Sequence, residues 1–175
     1  MNQKVLNLPS RDEALLILKH FGCSKKLIEH CKAVVKKAFS IAERLQKNGH
    51  NIDLKLVEIG ALLHDIGRSK THGVNHGVVG AKLLRSIKLP EELAKIAERH
   101  IGAGIPANEA KELGLPSRDF LPVTLEEKIV AHADNLIFGV EEKTIEESIN
   151  LLEKNLGKNH PAIDRIRRLH EELML

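Results

Sequence analysis

Apolar residues recur at helical spacing along almost the whole chain and nowhere alternate as in a half-buried strand, which confines the fold to the all-α class. The clearest run is "SKKLIEHCKAVVKKAFSIAERLQKNG". In it Leu27, Cys31, Val34, Val35, Ala38, Phe39, Ala42 and Leu45 share one helical side, with Ser24 as N-cap and Gly49 as stop. Before it, "SRDEALLILKHFG" starts at a Ser10 cap and stops at Gly22. After it, "DLKLVEIGALLHD" is capped by Asp53 and broken at Gly67. Further helices are expected over about 75–87, from Pro90 to His100, over 124–138, and around 144–155 and 161–173. Thr124 and Glu127 match a capping box. "IGAGIPANEAKELGLPSRDFLPV" is the least regular stretch and is expected to carry one short helix. The expectation is an irregular bundle of about seven to eight substantial helices rather than a repeat.

Without linker, internal repeat or low-complexity stretch, residues 1–175 read as one domain, long enough to bury roughly 70% of its unfolded surface without disulfides. Cys23 and Cys31 show no CxxC spacing and sit in apolar helical pattern, so they are expected to be reduced core residues. No apolar run approaches the roughly 18 residues of a membrane span, and "MNQKVLNLPSRDE" lacks a signal-peptide apolar region; a cytoplasmic protein is expected. Net charge is only +3, both signs are interspersed, and there is no Trp or Tyr and only four Phe. That composition argues against a stacking platform or basic groove for long nucleic acid. Abundant Lys and Glu lean towards a thermophilic source.

The chemistry lies in polar residues on inward faces. His30 lies three after Leu27 and four before Val34, on the side its helix buries, where an imidazole needs either a carbonyl partner or a metal. His64 and Asp65 end a helix whose Leu56, Ile59, Ala61, Leu62 and Leu63 are apolar; a carboxylate buried there is costly unless a cation offsets it. An exposed helix terminus is the plainer alternative. Asp134 has Val130 four before and Ile137 three after, again inward, although Asp is a poor mid-helix residue. His132, two before Asp134, points elsewhere and reads as structural. His76 opens "NHGVVGAKLL", where Gly77, Gly80 and Ala81 would admit another helix or a ligand, and His100 ends "AKIAERH". Together these residues supply four imidazoles and two carboxylates, a donor set suited to Mn, Fe, Co, Ni or Zn.

His30, then His64-Asp65, then Asp134 resembles the H…HD…D order of the HD-domain metal-dependent phosphohydrolases, and "HDIG" from His64 to Gly67 is similar to that family's variant signature. The resemblance runs from about Ser24 to Phe138. With "NHGVVGA" and "ERH" it extends to members that commonly hold two metals, and the compact chain looks most like small archaeal HDIG proteins. It implies an all-α HD fold with a metal-site core over about 24–138 and C-terminal helices 144–173 packed on it. It also implies His30, His64, Asp65 and Asp134 around a first divalent metal, with Asp65 bridging to a second held by His76 and His100. The GYP motif of cyclic-di-GMP phosphodiesterases is absent, which disfavours that substrate.

Two such metals would activate a water for attack on phosphorus and neutralise the phosphate as charge builds. Arg68, directly after HDIG, could fork onto a phosphate oxygen or be a solvated loop cation; Lys128, six before Asp134, is a weaker candidate. Absence of GxSxG and of a Gly-rich P-loop disfavours acyl transfer and P-loop nucleotide binding. Residues 101–122 could shape the pocket mouth or act as a lid, with Arg118 and Lys111 but no aromatic except Phe120. Similar HD proteins include nucleotidases, diadenosine-tetraphosphate hydrolases and enzymes opening 2′,3′-cyclic phosphates. The expected activity is therefore hydrolysis of a small nucleotide-like phosphomonoester or cyclic phosphodiester, with no membrane partner and a homodimer left open. Two alternatives stay open: a dinuclear-iron oxygenase of HD type, and a non-catalytic nucleotide-sensing module.

Overall fold

The longest amphipathic run becomes the longest helix. In the computed structural model, which describes residues 6–174, α1 (Arg11–His20) leads into α2 (Lys25–Lys47), whose Cys31, Val34, Val35, Ala38, Ala42 and Leu45 are all buried. Then come α3 (Leu54–Leu63), a 3₁₀ turn (Ile66–Ser69), α4 (His76–Ser86), α5 (Glu91–Arg99) and the short α6 (Ala107–Glu112). The chain ends with α7 (Leu125–Asn135), a two-stranded hairpin, α8 (Ile145–Leu156) and α9 (Pro161–Met174). The architecture is all-α, with nine α-helices among the described residues. The N-terminal stretch read above for a leader begins at Met1–Val5, outside the described residues.

Caps set most boundaries. Ser10, Ser24, Asp53, Thr124 and Thr144 each accept a backbone N–H of the first turn, and Ser10/Glu13 and Thr144/Glu147 complete reciprocal boxes. The Thr124–Glu127 box is only half made: Glu127 turns instead to the Val123 amide at 2.7 Å and to Arg99. The buried Glu127 carboxylate gains more from the half-buried Arg99 guanidinium than from a capping contact.

Two boundaries differ from the sequence reading. The third helix stops at Leu63 and continues as the 3₁₀ turn, which carries Arg68. The seventh ends at Asn135 rather than Phe138, because β1 (Ile137–Phe138) pairs antiparallel with β2 (Glu141–Glu142) around Gly139-Val140. Gly139 has φ +66°, which suits glycine at the first central position of a two-residue hairpin turn. Strands of two residues are too short to show alternation.

α2, α3, α5 and α7 enclose the main core, which includes Leu62, Leu63, Ile96, Ala97, Ile129 and Val130. Residues 101–122 have a small core of their own, Val78, Ile105, Ala110, Leu115 and Phe120. Both cysteines are buried and free; burial raises the Cys23 thiol to about 11 and Cys31 well above its ordinary value, so neither is a ready thiolate. No helix among the described residues is long and apolar enough to cross a membrane.

α9 is tied to α7 by His132, fully buried, whose Nε2 lies 3.0 Å from Nδ1 of His170. Burial first, then the nearby His170, Lys37 and Arg44, lowers the His132 pKa from 6.5 to about 3. The folded pKa is depressed, so the unfolded chain binds the extra proton in between. This contribution to stability is present above pH 6.5 and is lost as pH falls towards 3. Denaturant midpoints measured at pH 7 and at about pH 4.5 should therefore converge in His132→Asn relative to wild type; an unchanged gap would show that His132 is not the residue involved.

Candidate metal centre

Helix ends deliver five of the six polar residues to one place and a helix interior the sixth. His64 and His100 are the C-caps of α3 and α5, His76 opens α4, and Asp65 follows at the start of the 3₁₀ turn. His30 comes from α2 and Asp134 from the last turn of α7. His64, Asp65, His76 and His100 are buried. Helix ends leave backbone carbonyls unpaired, and the histidines use them. Nδ1 of His64 donates to Ala61 O at 2.7 Å, that of His100 to Ala97 O at 2.7 Å, and that of His76 to Gly73 O at 2.8 Å. His30 donates across the fold to Gly139 O at 2.8 Å, which is what the hairpin turn contributes.

A carbonyl only accepts, so each Nδ1 carries the proton and each Nε2 of a neutral ring points inward as a lone pair. The carboxylate of Asp65 stands among them. Its Oδ1 is 3.1 Å from His76 Nε2 and 3.4 Å from His100 Nε2; its Oδ2 is 3.8 Å from His64 and 3.9 Å from His30. Asp134 Oδ1 lies 3.0 Å from His30 Nε2 and 3.3 Å from His64 Nε2. Nε2 of His76 and of His100 face each other at 3.1 Å. These are acceptors meeting acceptors, and the buried His64 Nε2 and Asp65 Oδ1 have no hydrogen-bond partner. A set of lone pairs around two carboxylates lacks positive charge, which is the condition a divalent cation meets.

Three groupings have ligand atoms close enough to share an ion: His30–His64–Asp65, His64–His100–Asp134 and Asp65–His76–His100. Nitrogen and oxygen donors in these numbers fit a divalent transition metal. The electrostatics show the same pull on positive charge, which a proton on His64 answers in part. Burial works against charge on His64, but Asp65 and Asp134 outweigh it and lift its pKa to about 9. Asp65 and Asp134 are held well below the usual carboxylate range despite burial, chiefly by His64. Burial lowers His100.

The structure thus brings together His30, His64, Asp65, His76, His100 and Asp134. Arg68 joins them, its Nε donating to Asp65 Oδ2 at 2.7 Å. Lys128 does not: its Nζ pairs with Glu172 at 2.6 Å, because α9 packs against α7 and captures it, and it is not among the residues lining either cavity below. Residues 101–122 form a wall, pinned by paired Ile105 and Phe120 backbones and by Arg118, which reaches Glu98 at 3.0 Å and covers the Phe120 ring at 4.3 Å.

Two cavities flank the cluster. One, about 650 Å³, is lined by polar groups including Ser24, Lys26, Ser69 and His72. The other, about 570 Å³, reaches between Val74, Ile101 and Ile105 on one side and Leu152, Leu156 and Ile166 on the other. The sequence reading missed the Gly139 and Gly73 carbonyls and the second cavity's Phe138, Glu109 and Arg165. Only the glycine-centred "FGVEE" turn offered a signal, since the others become neighbours through long-range packing.

The geometry has clear relatives. The family model described as HD domain matches residues 27–139. An uncharacterized protein of Methanocaldococcus jannaschii is 57% identical over 162 residues, covering 93% of this chain and 95% of that one. Two proteins named tRNA (cytidine(56)-2′-O)-methyltransferase, from Picrophilus torridus and Thermoplasma volcanium, are 43% and 42% identical; the match spans 95% and 98% of this chain but only 47% and 48% of theirs. Among solved structures, the HD domain of the L. monocytogenes phosphodiesterase PgpH in complex with cyclic-di-AMP shares the fold at TM-score 0.57 and 17% identity, covering 91% of this chain and 93% of that one. The chain belongs to the HD domain family.

The glycine of HDIG keeps the cluster together. A Cβ on Gly67 would stand 1.9 Å from His76 O and 2.6 Å from Gly80 N, so the 3₁₀ turn can lie on α4 only without one. Gly67→Ala should lower unfolding stability by about 3 kcal/mol, read by far-UV circular dichroism in denaturant because Trp and Tyr are absent. Wild-type stability in that variant would contradict this packing.

Proposed function

From the premise of that family membership, we propose that the chain is a metal-dependent phosphohydrolase acting on a small nucleotide-like phosphomonoester or cyclic phosphodiester. The observation that carries this reading is the buried, only partly compensated meeting of four inward-facing Nε2 atoms and two carboxylates, open to cavities of ligand size. Ligand pockets commonly fall between roughly 300 and 1,000 Å³. His30, His64, Asp65 and Asp134 would hold one divalent ion, and Asp65, His76 and His100 a second. Bound ions would supply Lewis acidity, lowering the pKa of water and neutralising phosphate oxygens in the transition state.

The protein's own groups account for the rest. The four carbonyl-bound Nδ1 protons fix each ring's tautomer and aim, so the ligand atoms are arranged before any ion arrives. Asp65, reached by imidazoles from both sides, is the group suited to bridging. Arg68 orients Asp65 through its Nε and, lining both cavities, is suited to binding a phosphate oxygen with the remainder of its guanidinium. Methyl transfer is not carried over from the two longer relatives, of which this chain spans about half.

Protein purified without chelators under reduced oxygen should carry about two metals per chain by elemental analysis, as the shared carboxylate requires. Asp65→Ala should lose both metal and hydrolysis of linear and cyclic phosphate esters; near-normal turnover by a folded Asp65→Ala protein would sink the dinuclear reading. Arg68→Ala should keep its metal while kcat/KM falls about 10- to 100-fold. Metal loss there would mean that Arg68 acts only through Asp65.

A further inference from the structure

The candidate centre does not lie at the bottom of one cleft but at the junction of two. His30, Asp65, Arg68 and Gly139 line both cavities, so a phosphorus held among them has room for a substituent on either side. The two rooms differ in chemistry. The first is bounded by Ser24, Lys26, Ser69 and His72, with Leu27 its one large apolar residue. The second is largely apolar, with the half-buried ring of Phe138 in its wall. Away from the cluster its fixed polar groups are Asn135, His160 and an ion pair, Glu109 on α6 held by both terminal nitrogens of Arg165 on α9 at 2.7 and 2.6 Å.

An apolar slot with an aromatic ring, and an acceptor and donor side by side in its wall, matches a nucleobase: flat faces to stack and an edge that both donates and accepts. Leu152, Leu156, Arg165 and Ile166 come from α8 and α9, beyond the residues the family model matches. The C-terminal helices, outside that match, therefore supply one part of this room's wall. A phosphomonoester would fill one side and leave the other to water.

We propose that the second cavity is a nucleoside pocket and the first receives the other esterified group, so that the substrate is a nucleotide phosphodiester substituted on both sides of phosphorus. This rests on the hydrolase reading above, sets the phosphomonoester aside and extends the diester class to linear diesters. In the reaction, water oxygen forms a new P–O bond and one ester P–O bond breaks. The departing oxygen takes a proton, giving a phosphomonoester and an alcohol. No oxidant or reductant is needed.

The probe is adenylyl-3′,5′-adenosine, a linear dinucleoside phosphate, titrated into the full chain and followed by NMR. Signals of Phe138 and Leu152 in one cavity and of Lys26 and His72 in the other should move together. Movement confined to one cavity, or to neither, overturns the proposal. Phe138→Leu should bind the dinucleotide about tenfold more weakly, the loss expected for one base–aromatic stack. Leu152→Ala, on a partly exposed face of α8, tests the same pocket if β1 does not tolerate the first change; unaltered affinity in the folded variant counts against the pocket. Turnover separates the two layers of inference. With metal loaded, kcat/KM for the dinucleotide should exceed that for adenosine 5′-monophosphate by about tenfold or more. Equal or better use of the monophosphate overturns the diester proposal while leaving the hydrolase reading intact. Cleavage of no ester with any metal defeats the hydrolase reading, and the NMR map still decides the pocket.

Discussion

A carboxylate with almost no access to water dominates this structure. Asp65 is 3% exposed and is met by histidines from α2, α3, α4 and α5, with one oxygen towards His76 and His100 and the other towards His64, His30 and Arg68. Burying such a group costs several kcal/mol unless opposite charge is supplied. Arg68 supplies part and a protonated His64 can supply more, but the inward-facing lone pairs leave the site short of cations. Conformation alone cannot relieve that shortage, because every imidazole is held by a carbonyl on its far side.

Bringing four helices to one carboxylate requires backbones to approach more closely than ordinary side chains permit. Gly67 lies on the backbone of His76 and Gly80, and a Cβ on Gly77 would stand 2.9 Å from Ala97 O in α5. These contacts place α4 between the 3₁₀ turn and α5, so His76 and His100 arrive within 3.1 Å of each other. Gly77 and Gly80, within α4, cost helix propensity, roughly 1 kcal/mol each relative to Ala. That cost is offset by the tight packing their absent side chains allow. The same logic extends to the hairpin, where Gly139 lets two very short strands turn so that its carbonyl reaches His30.

Around this rigid centre the rest of the chain sets access. The Gly- and Pro-rich stretch after His100 is anchored by its own small core, by the Arg118–Glu98 pair and by Asn135, which donates to Gly102 O at 2.8 Å. α8 and α9 close the opposite side, and Arg165 joins the two across Glu109. The fold thereby separates two tasks. Helix ends and glycines hold the polar cluster, while longer-range packing shapes what can reach it.

Read alone, the sequence determined the all-α class, most helix boundaries and the six residues that converge. Helical periodicity reports which positions face inward, so His30 and Asp134 stood out as costly, while His76 and His100 joined them through the family resemblance. The plainer alternatives, an exposed terminus for Asp65 or a carbonyl partner for His30, could not be separated from ligation by spacing. The structure shows that His30 has its carbonyl partner on one nitrogen and faces the cluster with the other. Lys128 shows the limit of such reasoning: two turns from Asp134 along α7, it is drawn to Glu172 by a helix more than thirty residues later. The short hairpin, the paired cavities and the placing of Phe138, Glu109 and Arg165 around one of them were decided by tertiary structure. They depend on residues distant in sequence, whose approach no local period encodes.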